Sequence, residues 1–224
     1  MRFYLLVGCL AATILAASCK KSTDNASVPS PYLTQGAGST WQYRQTNVTT
    51  STSSEYTLTA TNRDTSIGTR NYRVFTNSQG GPNSYFTQSG ADYYTFRTLG
   101  AGLGAGAIEN LYLKDNSPAG TSWSENISLN IPGVPFAIPV TITYRIEEKG
   151  ISRTVNSTNY TDVIRVKTSL TSSVVPPSGL ITDIEDYYAR QFGAIESKVV
   201  IQVAFLGVTQ STDTRTILLS ATLR

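Results

Sequence analysis

The sequence predicts an all-β fold: one domain of about ten or more antiparallel strands in a strongly curved sheet or open barrel, with a β-sandwich as the alternative. Three observations carry this. Stretches such as Val140-Thr141-Ile142-Thr143-Tyr144-Arg145-Ile146 alternate apolar and polar side chains with period two, as half-buried strands do. Turn-forming clusters, among them Gly80-Gly81-Pro82-Asn83 and Pro176-Pro177-Ser178-Gly179, recur between these stretches. No window of about 11 residues carries a helical apolar stripe.

In chain order, strands are predicted over 41–48, 56–60, 71–76, 84–88, 92–98, 107–114, 121–129, 140–146, 160–170, 183–190, 198–206 and 217–223. In the first, Trp41 and Tyr43 share the face expected to seed the core, with Gln42 and Arg44 outward. In the fifth, Tyr94 and Phe96 are expected in the core and Tyr93 outside. Residues 99–106 are glycine-rich. Their Gly102-x-Gly104-x-x-Ala107 spacing mimics a dinucleotide fingerprint but lies between strands, where no helix N-terminus waits for a pyrophosphate, so a loop is predicted. Residues 131–139 are apolar with Pro132, Pro135 and Pro139, and are expected as an edge or a loop over an open end. Glu147-Glu148-Lys149-Gly150 reads as a charged hairpin tip. Gly193 interrupts a strand-like run, as a bulge or sharp bend does.

The N-terminus has its own logic. Arg2 followed by the largely apolar run 3–15 reads as an export signal over 1–18, and the run is shorter than the roughly 20 residues a spanning helix needs. Polar residues 22–35, with Pro29 and Pro31, read as a tether. The expected organisation is signal 1–18, modified N-terminus and tether 19–35, and β domain 36–224.

Leu15-Ala16-Ala17-Ser18-Cys19 resembles the lipobox of bacterial lipoproteins, in which small residues precede a cysteine that is acylated and becomes the mature N-terminus. Leu6-Val7-Gly8-Cys9 also fits the pattern, but it leaves too few apolar residues for a signal of about 7 to 15. Cys19 is therefore the expected lipidation site, and with Cys9 inside the signal no mature disulfide is expected. The resemblance implies a membrane partner reached through the lipid at Cys19. Lys20 and Lys21 follow Cys19, and the aspartate that enteric lipoproteins carry directly after the cysteine as a retention signal is absent, which by resemblance favours the Gram-negative outer membrane, with its face left open.

Gly38-Ser39-Thr40-Trp41-Gln42-Tyr43 and Tyr187-Tyr188-Ala189-Arg190-Gln191-Phe192-Gly193-Ala194-Ile195, with 159–166 between them, resemble motifs of a group of secreted bacterial lipoproteins. That resemblance implies a curved sheet similar to the open half-barrels of lipoprotein carriers. The carriers' plugging helices have no counterpart in the sequence.

Composition excludes much chemistry. The chain has no histidine, so Ser-His and Cys-His nucleophile pairs and His-ligated zinc are absent. Of 18 basic residues Arg2 leaves with the signal, and 17 against 15 acidic ones is a net +2 with no basic cluster, so no nucleic-acid partner is expected. Asp183, Glu185 and Asp186 are the densest carboxylates. Asp183 and Glu185 would share a strand face about 7 Å apart, which places both on one side of any substrate, and glycoside hydrolysis needs them on opposite sides. No calcium loop is present in the sequence. The expectation is a non-enzymatic, lipid-anchored envelope protein that binds or scaffolds, with no catalytic residues, metal or cofactor and an unidentified protein, small-molecule or glycan partner. The alternatives are a carrier of an apolar ligand, a carbohydrate-binding module using some of the thirteen tyrosines, and, more remotely, a glycan-active enzyme.

Overall fold

Twelve strands form, one at each stretch that the alternation marks. The computed structural model describes residues 30–98, 107–130 and 134–224. The strands are β1 (Thr40–Asn47), β2 (Thr52–Ile67), β3 (Arg70–Asn77), β4 (Ser84–Ser89), β5 (Asp92–Thr98), β6 (Ala107–Lys114), β7 (Ser122–Leu129), β8 (Ile138–Val155), β9 (Thr158–Ser172), β10 (Leu180–Ala189), β11 (Gly193–Phe205) and β12 (Val208–Thr222). Among the described residues the one helical element is a 3-10 turn, Pro177–Gly179.

All twelve belong to a single sheet in the order β6-β5-β4-β3-β2-β1-β12-β11-β10-β9-β8-β7, curled into a nearly closed antiparallel barrel. Each strand pairs with its sequence neighbours except that β6 and β7 do not pair with each other, and β1 also pairs with β12. The sheet's two edges are therefore β6 and β7, which are consecutive in the chain. The seam between them is bridged by side chains: the Trp123 indole N–H donates to the Leu111 carbonyl at 2.7 Å, and Glu125 Oε1 accepts from the Leu111 amide at 2.8 Å.

The meander gives the barrel two ends. The proximal end holds the N-terminal segment, the chain's last residue and the turns 68–69, 90–91, 115–121, 156–157 and 190–192. At the distal end lie the turns 48–51, 78–83, 173–179 and 206–207 and the described part of 130–137.

The interior is filled. Leu129, Ile138, Val140, Ile142, Tyr144, Ile146, Ile164 and Val166 build one buried cluster, and Trp41, Tyr43, Phe75, Val163, Ile195 and Leu218 belong to a second. Aromatic contacts through Phe75, Phe86 and Tyr112 connect the two and reach Tyr188 on β10. The opposite face of β8–β12 carries cross-strand ion pairs, Arg165 with Glu185 at mid-strand at 2.7 Å and Arg153 with Glu196 near the proximal end at 2.8 Å. A barrel that crosses a bilayer needs an apolar outer band there, and the Arg165–Glu185 pair interrupts one on this wall.

Three expectations are corrected. Lys149-Gly150 is no hairpin tip: β8 runs through it to Val155, and register shifts between Ile146 and Arg153 absorb Gly150 at φ 74° as a bulge. Glu148 there pairs with Arg165, and the Lys149 Nζ donates to the carbonyls of Asp115 and Ser117. On β5 the faces are reversed, because Tyr93 is fully buried against Tyr32 and Leu113 while Tyr94 and Phe96 are half-buried on the other side. Finally, residues 30–35, assigned to the tether by composition, pack onto the barrel, with Tyr32 fully buried.

Candidate functional site

The proximal end concentrates the polar geometry, and the two lipoprotein-like motifs build it. Between β10 and β11 the chain reverses in three residues, with Gln191 and Gly193 both at φ 70°. This turn holds the N-terminal segment as a short added strand: the amides of Gln191 and Gly193 donate to the carbonyls of Pro31 and Tyr32 at 2.7 and 2.5 Å, and the Thr34 amide donates to Gln191. A Cβ on Gly193 would stand 2.9 Å from Leu33 Cδ1, so glycine is required by conformation and by contact.

Tyr32 closes the mouth. Its amide donates to the Tyr93 hydroxyl at 2.9 Å, its own hydroxyl donates to the Asp162 carbonyl at 2.8 Å, and the Arg190 guanidinium lies over its ring. Burial, then the nearby Asp162 carboxylate, pushes the Tyr32 phenol upward, so it stays protonated. Arg190 also pairs with the Asp162 carboxylate and donates to the Ser30 carbonyl. On the other motif, Gly38 turns at φ 83° and the buried Ser39 hydroxyl accepts from the Arg224 amide at 2.9 Å. Both motifs thus grip chain termini.

Beside this clasp an open groove of about 290 Å³ is lined by Ser30, Thr158, Asn159, Thr161, Arg190 and Gln191, with Tyr160 and Phe192 as its apolar part. Its hydroxyls and amides offer donors and acceptors, while its one cation is already paired with Asp162. The groove suits a small, neutral, hydrogen-bonding ligand.

The sequence-marked carboxylates do not assemble. Asp183 and Glu185 share one face of β10, each with its own cation: Lys198 bonds Asp183 and holds its carboxyl low, and Arg165 bonds Glu185. Asp186 points the opposite way, toward the Ser197 hydroxyl, and burial pushes its carboxyl up. Glu125, which sequence reading passed over, is the other raised carboxyl. Burial again is the cause, and its second oxygen has no hydrogen-bond partner. Among the described residues no group of three or more acidic, Cys or His side chains converges to hold a metal. The described tyrosines are buried or half-buried, and on the outer face of β3–β5 the rings of Tyr85, Tyr94 and Phe96 stay half-buried beside Tyr72 and Arg70.

At the distal end an apolar cavity of about 30 Å³ lies among Leu129, Ile138, Val140, Leu170, Val175, Leu180, Ile201 and Val203. A ligand pocket needs about 300 Å³ or more. Cys19, Cys9 and the glycine-rich 99–106 stretch lie outside the described residues.

The sequence matches no family model and no curated protein. Among solved structures, the barrel is similar to the crystal structure of "a putative lipoprotein from Parabacteroides distasonis ATCC 8503", at 9% identity and a TM-score of 0.49, covering 87% of this chain and 100% of that one.

Proposed function

We propose that this protein is a lipoprotein of the Gram-negative outer membrane, anchored through acylated Cys19, whose barrel serves as a non-enzymatic binding or scaffolding module. The observation that carries the anchor is the lipobox-like Leu15-Ala16-Ala17-Ser18-Cys19 after an apolar run. It stands eleven positions before Ser30, where the chain joins the proximal end. Multiple acyl chains hold a protein on a membrane stably where one holds it marginally, each buried CH₂ contributing about 0.8 kcal/mol. The ion-paired outer face fits a body that sits on a membrane without crossing it.

Recognition is the reading that the interior favours. Two raised carboxyls, Glu125 and Asp186, are locked into seam and core, and the remaining acidic groups of β10 are spent in ion pairs. Among the described residues the small distal cavity counts against the carrier reading, and the proximal groove is where we place a small polar ligand.

Cys19→Ser is the test. The expected result is loss of labelling by a palmitate analogue and release of the protein from the membrane fraction; labelling that persists and vanishes in Cys9→Ser would move the anchor. Density-gradient separation of inner and outer membranes tests the location. Recovery of the acylated protein with the inner membrane would overturn it.

A further inference from the structure

At the distal end the strands β7–β12 run on past their neighbours. β1 stops at Asn47, opposite Thr214, yet β12 extends from there back to Val208, about 20 Å further at strand rise. The connections at this projecting tip, 130 with 134–137, 173–179 and 206–207, contain no Asp, Glu, Lys or Arg, and by sequence neither do 131–133. The tip also carries Phe136, Val174, Ile181 and Leu206, four of the five large apolar side chains the described surface exposes; Ile181 and Leu206 are 51% and 59% exposed. The fifth, Val48, lies on the β1–β2 turn at the same end.

Neutrality extends down the wall. The face of β11 that carries Lys198 continues toward the tip as Val200, Gln202 and Ala204, paired on β12 with Asp213, Ser211 and Thr209. On β9 the face of Lys167 continues as Ser169 and Thr171. The first charges met are Asp183, which pairs with Lys198, and Asp213. Below the surface the tip is aliphatic, built from Leu129, Ile138, Val175, Leu180 and Val203.

We propose that this tip inserts into the interfacial layer of a lipid bilayer. A protein-binding patch has an apolar centre and keeps a polar, often charged rim. This tip is neutral across its connections, as expected where any ion carried below the headgroups would be heavily penalised. Interfacial insertion reaches about 5–10 Å, which the neutral stretch from Leu206 to Val200 accommodates. With no Lys or Arg at the tip, binding depends on apolar contact and not on anionic headgroups. The contact is separate from an anchor at Cys19, because the N-terminal segment joins the opposite end.

The test uses the chain from Lys20 onward, which lacks the signal and Cys19 and retains the whole described barrel. It is floated with phosphatidylcholine vesicles at low and high salt. The expected result is salt-independent flotation, at least a tenfold loss of bound fraction in Phe136→Asp/Leu206→Asp, and no change in Thr69→Asp at the proximal end. Phe136→Trp supplies a second readout, a blue shift of emission on adding vesicles. Thermal melts matching the parent show that the loop variants fold. No flotation of the parent, undiminished flotation of the double variant, or binding confined to anionic vesicles and lost in salt would each overturn the proposal. A self-association of the parent that the double variant abolishes, without vesicle binding, would assign the tip to a second copy instead.

Discussion

Trp123 reaches across the barrel seam to Leu111: its indole N–H donates to the Leu111 carbonyl at 2.7 Å while its ring stacks on Tyr144 at 5.5 Å. With Glu125 on the Leu111 amide, one residue of β6 has both main-chain groups satisfied by side chains of β7. Trp123→Phe keeps the stack and removes the donor. It is expected to lower unfolding free energy by about 1 kcal/mol and to speed amide exchange along β6. Unchanged exchange in β6 would show that the bond does not hold the seam.

Glu125 and Asp186 both have carboxyls raised by burial. A group raised in the folded state contributes stability below its unfolded pKa, and that contribution is lost as pH rises through the folded value. The barrel is thus expected to lose stability as pH climbs from the ordinary carboxylate range through the raised values. Asp186→Asn should flatten that part of the profile and stabilise the protein at pH 7. Melts across the range check both, and a variant profile parallel to the parent's would assign the slope to other groups.

Tyr32→Ala removes the ring that closes the proximal mouth, and a loss of about 3 kcal/mol is expected for a buried aromatic. Tyr32→Phe, which deletes only the hydroxyl bond to Asp162, should cost about 1 kcal/mol. Limited proteolysis separates this from general loosening, since the alanine variant should be cut first within 30–35.

Gly150 and Gly193 both have positive φ, but only at Gly193 would a Cβ meet another atom, Leu33 Cδ1. Alanine at Gly150 is expected to cost about 1 kcal/mol, and at Gly193 more, with the excess falling when Leu33 is shortened to Val. Equal costs in denaturant titrations would mean that the contact adds nothing to the backbone strain.

The strands were legible because Thr, Val, Ile and Tyr alternate along them, and a period of two survives almost any curvature. What misled was the bulge. The register slips around Gly150 insert unpaired residues, so a glycine that reads as a turn lies inside β8; on β5 alternation alone leaves the choice of face open, and Tyr93 takes the inner one because it packs on Tyr32 and Leu113. Residues 30–35 were unreadable for another reason. Their anchoring is main-chain hydrogen bonding to a turn some 160 residues away, with Tyr32 and Leu33 as the buried side chains, and a short Pro- and Ser-containing stretch has no periodicity to betray it. Of the candidate site, the motif stretches already contained Arg190, Gln191 and Phe192 on one side and Asn159 to Asp162 on the other, but the φ of 53° that turns Asp162 toward Arg190 leaves no mark on the sequence.

The ladder between β1 and β12 joins the two ends of the described chain, with Ser39 and Arg224 separated by 185 positions. Every other ladder joins successive strands. The protein is thus a plain twelve-strand meander whose reading frame has been rotated by half, and its one highly non-local pairing carries most of the loop-closure cost. A chain that folds in sequence order has to await its final strand before its first can be secured on both sides. A circular permutant opened within 115–121, with the present ends linked, would make every ladder local and is expected to refold faster than the natural order.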